Sequence, residues 1–186
     1  MKRAHVLSER EIKRVFAVIA RSSFPTRNRT MFQLSIYAGM RVGEIAALCV
    51  EDVIAADGSV RAQIQLSSAQ TKGNHARTVL LNAQVQAELA EYLRKHKPIA
   101  GALFRSKLDK PFSSNSLCQL FARIYSDSGI DAATSHAGRH YFLTTLADKG
   151  VSIHVLAALA GHRNISTTMV YLTANANVMR AAVELI

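Results

Sequence analysis

The sequence predicts a mainly α-helical protein with a small antiparallel β-sheet, which is an α+β fold class. Apolar residues recur at spacings of three and four over most of the 186 residues, as expected for amphipathic helices. Strand-like alternation is confined to two short runs between residues 60 and 81. Because 49% of the residues are hydrophobic and no low-complexity tract occurs, we expect a packed core and a single domain spanning residues 1–186.

The first helix has a clear start signal. Ser8 and Glu11 form the S-x-x-E pattern of a capping box, and helically spaced apolar residues follow it. This predicts a helix from about Glu9 to Arg21. Pro25 interrupts the pattern, and a second helix is predicted from Thr26 to Tyr37.

A tight turn follows in the run YAGMRVGEIAALC. Gly39 and Gly43 allow the backbone to turn, and a helix is predicted to restart at residues 44–48. Arg41 lies at this junction, and Glu44 is within its reach if the turn is helical. Taken alone, the pair also fits an ordinary surface ion pair beside a core helix.

A hairpin is the predicted origin of the sheet. Val60 to Leu66 alternates apolar and polar residues, and Ala76 to Leu81 is again rich in strand-forming residues. The polar loop from Ser67 to His75 joins them and carries Lys72. A loop lysine is commonly just solvated, but here it would be a cation at the tip of a rigid finger.

The middle of the chain returns to helices. Asn82 is a suitable N-cap for a helix that Pro98 ends, and a short strand is expected at Ala102 to Phe104. Another helix is predicted from Ser114 or Asn115 to Ser126, with Gly129 after its end.

The stretch from residue 134 to residue 173 concentrates groups that could bind and attack an anion. Ser135 is expected to cap a helix that begins about His136, which would place His136 and Arg139 on one helical face.

Further along that stretch, Gly161 breaks the chain just before His162. Tyr171 follows nine residues later, and one continuous helix would turn these two side chains to opposite sides. The break removes that objection, since Asn164 or Ser166 can cap a new helix carrying Tyr171. Each residue alone also fits an ordinary role, His162 near a helix end and Tyr171 at the edge of a core.

Charge indicates the class of partner. The formal net charge is +10 and the pI is about 10.1, which favours a polyanion, nucleic acid above all. Two cysteines, Cys49 and Cys118, do not make a disulfide framework. The charged start MKRAHVLSEREIKR has no apolar segment, so we expect no signal peptide. No run in the chain approaches 18 apolar residues, so we expect no membrane span and, by default, a cytoplasmic location.

Read together, these residues resemble the catalytic domain of the tyrosine recombinase, or phage integrase, family. The resemblance covers Leu7 to about Thr173 and rests on four motifs in order, which are G-M-R-x-G-E, T-K-G, H-x-x-R-H and G-H-x-x-x-x-T-T-x-x-Y. It implies that the catalytic residues are Arg41, Lys72, His136, Arg139, His162 and Tyr171, with Glu44 supporting the first arginine.

The resemblance also implies a metal-independent mechanism without cofactors. Two arginines would stabilise the phosphorane formed when Tyr171 attacks a DNA phosphodiester. His136 would be the base, Lys72 would protonate the leaving 5′-oxygen, and His162 would contact the phosphate or hold the tyrosine. The product would be a 3′-phosphotyrosyl intermediate, from which strands can be rejoined.

Two departures and two alternatives accompany the resemblance. Gly138 stands where the family often has leucine, which is expected to loosen packing behind Arg139. The family's usual N-terminal DNA-clamping domain is expected to be missing, so the chain is either a naturally minimal recombinase or a fragment. The resemblance also implies a link to mobile elements. A topoisomerase of type IB shares the chemistry, and a non-catalytic DNA-binding regulator could keep the fold.

Assembly is the last expectation. The family implies a homo-tetramer on paired double-stranded DNA sites, and a monomer when free, with accessory proteins unknown. An apolar stripe between residues 175 and 186 predicts a tail helix. It would either fold back on its own core or be exchanged between protomers.

Overall fold

A computed structural model describes residues 5–71, 73–171 and 183–184. Within these ranges the chain forms helices and one two-stranded antiparallel sheet, which confirms the predicted fold class. The helices are α1 (Glu9–Ala20), α2 (Pro25–Tyr37), α3 (Val42–Ala46), α4 (Val50–Val53), α5 (Ala83–His96), α6 (Ser114–Asp127), α7 (Ala137–Asp148), α8 (Ile153–Ala160) and α9 (Ser166–Met169). The strands are β1 (Gln63–Leu66) and β2 (Arg77–Leu80). No helix in the described part of the chain is both long enough and apolar enough to cross a membrane.

Helices α1 and α2 begin as their sequences dictate. The hydroxyl of Ser8 accepts a hydrogen bond from the Glu11 amide, and the Glu11 carboxylate accepts one from the Ser8 amide at 2.7 Å. This confirms the predicted capping box. Helix α2 starts at Pro25 itself, because a proline in the first turn lacks only an N–H that would be unpaired there.

Helix α2 lies at the centre of the fold, where it packs against α1, α3, α5 and α7. Met31, Phe32, Leu34 and Ile36 are almost fully buried in the main core. A helix surrounded in this way has apolar residues on more than one face, which is why its sequence shows little amphipathic pattern.

The hairpin is confirmed with a shorter first strand. β1 pairs antiparallel with β2, Gln63 opposite Leu80 and Leu66 opposite Arg77. Val60 forms an isolated bridge with Ile54 instead of extending β1. A short 3-10 helix at Ser68–Gln70 opens the connecting loop. Lys72, in that loop, lies outside the described residues.

Two further predictions are corrected in detail. The helix expected at residues 44–48 spans Val42–Ala46 instead. Arg41 is its N-cap residue, and the Glu44 carboxylate accepts a hydrogen bond from the Arg41 amide. The strand expected at 102–104 does not form. Ala102 makes only an isolated bridge with Cys49, and the Leu103 amide donates to the Leu48 carbonyl.

The caps of the middle helices are as predicted or one residue away. The Asn82 side chain accepts from the Val85 amide at 2.9 Å and starts α5. Ser113 caps α6, which runs one residue beyond the predicted end, and Gly129 follows with a positive φ of 68°.

The start of α7 differs from the prediction. Ser135 is not its cap; His136 occupies the N-cap position, with no hydrogen bond from its side chain to the helix end. Gly138 does not loosen the packing either. A β-carbon there would lie 2.3 Å from the Ser35 hydroxyl oxygen, so its absence is what lets α7 approach α2. The predicted tail helix falls outside the described residues except at 183–184.

Candidate active site at the end of helix α8

The carboxyl-terminal end of α8 gathers three arginines. Arg77 donates from Nη1 to the Leu159 carbonyl at 2.9 Å. Arg139 donates from Nη2 to the Ala160 carbonyl at 2.5 Å, and Arg41 approaches the same oxygen at 3.5 Å. The last carbonyls of a helix have no intrahelical partner and carry partial negative charge, so guanidinium groups bind there favourably.

A single buried carboxylate holds two of these arginines. Glu44, 1% exposed, accepts from the Arg41 amide and Arg41 Nη1, both at 2.8 Å. It also accepts from Arg77 Nε at 3.0 Å and Nη2 at 2.6 Å. Burial acts to raise the pKa of Glu44, but the bonds and charges of Arg77 and Arg41 outweigh it and leave the pKa lowered. The interpretation of Arg41 and Glu44 as a surface pair is therefore wrong.

Arg139 lies almost fully buried, 3% exposed. Its Nη1 donates to the Gly39 carbonyl at 2.7 Å, which joins α7 to the turn before Arg41. Gly39 has a φ of 63°, and a β-carbon there would overlap Phe142. Burial, and then repulsion by Arg41 and neighbouring cations, lowers the pKa of Arg139 to about 9, so it remains charged at neutral pH.

His162 is held between two partners. Its Nε2 lies 3.1 Å from Arg139 Nη2, and its Nδ1 lies 2.9 Å from the Thr168 hydroxyl. Because a guanidinium can only donate, Nε2 must accept, and Nδ1 carries the proton. Burial and the charges of Arg139, Arg41 and Arg77 lower the pKa of His162 to about 4. His162 is thus a neutral imidazole at physiological pH.

Tyr171 packs beside two histidines. Its ring stacks on His162 with centroids 6.3 Å apart and meets His140 edge-on at 5.2 Å. Tyr171 is 8% exposed, and it lies in the turn after α9 rather than on that helix, contrary to the prediction. Burial raises the pKa of its phenol, whereas Arg139 and Arg41 act in the opposite direction.

His136 approaches the site from another side. It is exposed at the start of α7 and lines a cleft of about 360 Å³ that Arg41 also lines. The structure therefore brings His136 to the surroundings of Arg41, while Arg139, three residues later, lies buried beneath.

A second cleft, of about 380 Å³, separates the hairpin loop from the segment after α8. Arg163 Nη1 donates to His75 Nε2 at 2.8 Å across this cleft. Lys72 falls in sequence between two of the loop residues that line it. The lining comprises Arg41, Thr71, Gly73, His75, Ala76, Arg77, Gly161, His162 and Arg163.

Two residues of this arrangement were not singled out from the sequence, Arg77 and Thr168. Val79 on β2 and Leu81 just after it are buried, and Arg77 shares their side in the alternation of the strand. An arginine at an inward strand position was the available signal. Thr168 is the second threonine of the T-T in the last motif, and it is fully buried. Its hydroxyl orients His162 through the hydrogen bond with Nδ1.

A metal ion requires a particular arrangement of side chains around it. Across residues 5–71, 73–171 and 183–184, no group of three or more His, Cys, Asp or Glu side chains could hold a metal ion.

Comparison with known proteins identifies the family. The model of the phage integrase family matches residues 5–177, and the chain belongs to that family. The tyrosine recombinase XerC of Lactobacillus delbrueckii subsp. bulgaricus is 30% identical over 153 residues, which covers 78% of this chain and 50% of the relative. The tyrosine recombinase XerA of Pyrococcus furiosus is 29% identical over 181 residues, covering 96% and 60%.

A solved structure agrees with these relatives. The crystal structure of XerA recombinase superposes with a TM-score of 0.77 at 26% identity, covering 97% of this chain and 64% of that one. The chain thus spans about half to two thirds of the length of these relatives.

Proposed function

We propose that this chain is the catalytic domain of a site-specific tyrosine recombinase, which breaks and rejoins DNA strands through a 3′-phosphotyrosyl intermediate. The observation that carries the proposal is the convergence of Arg41, Arg139, His162 and Tyr171 at the end of α8. Membership of the phage integrase family supports it.

The two arginines are suited to clamp a phosphate. A guanidinium has five N–H donors, and Arg41 uses two of them on acceptors among the described residues. Its side chain is 21% exposed, so donors remain accessible to a ligand. Arg139 is buried behind it and adds positive charge in a region of low dielectric, where its stabilisation of an anionic transition state is strongest.

Tyr171 is proposed as the nucleophile. In the free protein the raised pKa keeps its phenol protonated, so attack requires a base and the positive field of the arginines. The bond from Tyr171 Oη to phosphorus forms as the bond to the 5′-oxygen breaks. His136 is the proposed base that takes the phenolic proton. Neutral His162 orients Arg139 and stacks on the tyrosine ring.

The leaving 5′-oxygen needs a proton, and Lys72 is proposed to donate it. The family resemblance supports this role, together with the position of the neighbouring Thr71 and Gly73 on the cleft beside Arg41. Rejoining reverses the step, since a 5′-hydroxyl attacks the phosphotyrosyl bond and releases Tyr171.

The proposed partner is double-stranded DNA, with four protomers assembled on paired sites and no cofactor. The positive charge of the chain supports DNA binding. The alternatives of a type IB topoisomerase and of a non-catalytic regulator share this partner. The naming of the relatives as tyrosine recombinases supports strand exchange over both.

A nicked suicide duplex carrying the recognition site tests the proposal, because loss of the short strand beyond the nick traps the covalent adduct. Wild-type protein is expected to form an adduct that denaturing gels resolve, and Tyr171→Phe is expected to bind DNA but form none. Tyr141→Phe is the matched control and should form the adduct normally. An adduct that persists in Tyr171→Phe would show that the nucleophile is another residue.

A further inference from the structure

Arg77 makes three side-chain hydrogen bonds, one from each nitrogen of its guanidinium. Its Nε and Nη2 grip both oxygens of Glu44, and its Nη1 donates to the Leu159 carbonyl. Its side chain is 7% exposed. Three elements, α3, β2 and the end of α8, are therefore joined through one guanidinium.

Arg41 is bonded quite differently, although it shares the same carboxylate. It makes one side-chain bond to Glu44 at 2.8 Å and one long contact of 3.5 Å to the Ala160 carbonyl, and it is three times as exposed as Arg77. Arg77 has the geometry of a structural partner, and Arg41 has the geometry of a group that can still receive a ligand.

The charges explain why the carboxylate needs two partners. Glu44 holds Arg41 in place, but a lone carboxylate in contact with Arg41 would cancel most of its attraction for a phosphate. The second guanidinium, Arg77, compensates that negative charge. With Arg139, three guanidiniums stand against one carboxylate, and the surplus is available to an incoming anion.

The glycine at the end of α8 leaves room for the Arg77 side chain. Gly161 has a φ of 61°, and a β-carbon on it would lie 2.7 Å from the Arg77 side chain. The residue that precedes His162 therefore leaves room for this arginine. A lysine could not replace its fork, because an ammonium cannot bond both carboxylate oxygens in a plane.

We propose that Arg77 is a positioning residue of the phosphate site, which neutralises Glu44 so that Arg41 keeps its charge for the scissile phosphate. This inference rests on the proposed function and deepens it. Arg77 acts on the substrate through Glu44 and Arg41 and does not itself contact the reacting atoms.

The test is a double-mutant cycle of Arg77→Met and Glu44→Gln, read in two ways. The first readout is single-turnover adduct formation on the suicide duplex. The second is the rise in melting temperature caused by inorganic phosphate, which needs no catalysis. Arg77→Met is expected to slow cleavage about tenfold or more and to reduce the phosphate response, because Glu44 then opposes the anion.

The deciding result is whether adding Glu44→Gln to Arg77→Met raises or fails to raise the cleavage rate and the phosphate response. If Arg77 acts by compensating Glu44, then adding Glu44→Gln to Arg77→Met restores a large part of both readouts. If Arg77 only packs the three elements together, the double variant is no better than Arg77→Met, and the proposal is overturned.

Arg77→Lys is the second variant, for use if Arg77→Met does not fold. It retains the positive charge beside Glu44 but loses the paired bonds to both carboxylate oxygens. It is expected to keep most of the phosphate response. A loss as severe as complete absence of the response would overturn the proposal. Failure of the wild-type protein to form any adduct, with the phosphate pattern intact, would instead contradict the proposed function alone.

Discussion

The segment carrying Arg41 and the segment carrying Tyr171 pack in different hydrophobic clusters. Arg41 is the N-cap residue of α3 and Glu44 lies in its first turn, and α3 packs into the main core. Among the residues that the structure describes, Tyr171 belongs to a second, smaller cluster with Leu143, Leu156 and Ala160. The proposed phosphate-binding half is thus fixed by a large core and buried ion pairs, whereas the proposed nucleophile packs, within the described part of the chain, on few buried residues.

This difference bears on control of the reaction. Segments with few buried apolar contacts open at a lower free-energy cost than the global unfolding of a domain. Under the proposed function, a preformed anion site beside a nucleophile on a small cluster would let the protein bind DNA through its fixed half. Cleavage would then depend on how the segment after α8 is placed.

The largest expected effect concerns Arg139, which joins α7 to the fixed half through the Gly39 carbonyl. Arg139→Lys should lower the cleavage rate by about 10²–10³-fold, because a lysine cannot bond the Gly39 and Ala160 carbonyls together and still orient a phosphate. Single-turnover cleavage of the suicide duplex measures this. Arg94→Lys, on the exposed surface of α5, is the matched control and should cleave at the wild-type rate. A fully active Arg139→Lys protein would mean that the phosphate binds elsewhere.

The second prediction compares the two cores directly. Leu34→Ala in the main core and Leu156→Ala in the small cluster each remove a fully buried leucine, and such changes cost about 2–5 kcal/mol. We expect Leu34→Ala near the top of that range and Leu156→Ala near the bottom, by urea denaturation. Hydrogen exchange should accelerate throughout the chain in the first variant and mainly in α8 and α9 in the second. Equal losses with the same exchange pattern would contradict the separation of the two cores.

The smallest expected effect is a pH dependence of stability from His162. Its folded-state pKa of about 4 lies below the ordinary value of 6.5, so between these values the unfolded chain binds a proton that the folded protein excludes. Its contribution to stability is therefore complete above about pH 6.5 and is lost as the pH falls towards 4.

Thermal melts of wild type and His162→Gln measure this effect. Glu44 titrates in both proteins, so the difference in melting temperature isolates His162. The advantage of the wild type should shrink between pH 7 and pH 4.5. An advantage that grows with acid would show that His162 is stabilised in its charged form.

The sequence determined the local structure where short-range chemistry is decisive. The capping box at Ser8, the Asn82 cap and the alternation around the hairpin each specify an element through neighbouring residues alone, and the structure confirms them. Family membership likewise follows from ordered motifs, since spacing along the chain is a sequence property. Ser135 is not the cap, since His136 occupies the N-cap position and its amide donates to the Thr134 hydroxyl.

What only the tertiary structure decided is which partners the charged groups have. Arg77 and Glu44 are 33 residues apart, and Arg139 meets Gly39 across 100 residues, so no local pattern predicts either contact. Burial lowers the pKa of His162, and the two arginines lower the pKa of Glu44 against the effect of burial. Both effects depend on how the helices pack rather than on neighbours in sequence. The same packing turned Gly138 from an apparent defect into the close contact of α7 with α2.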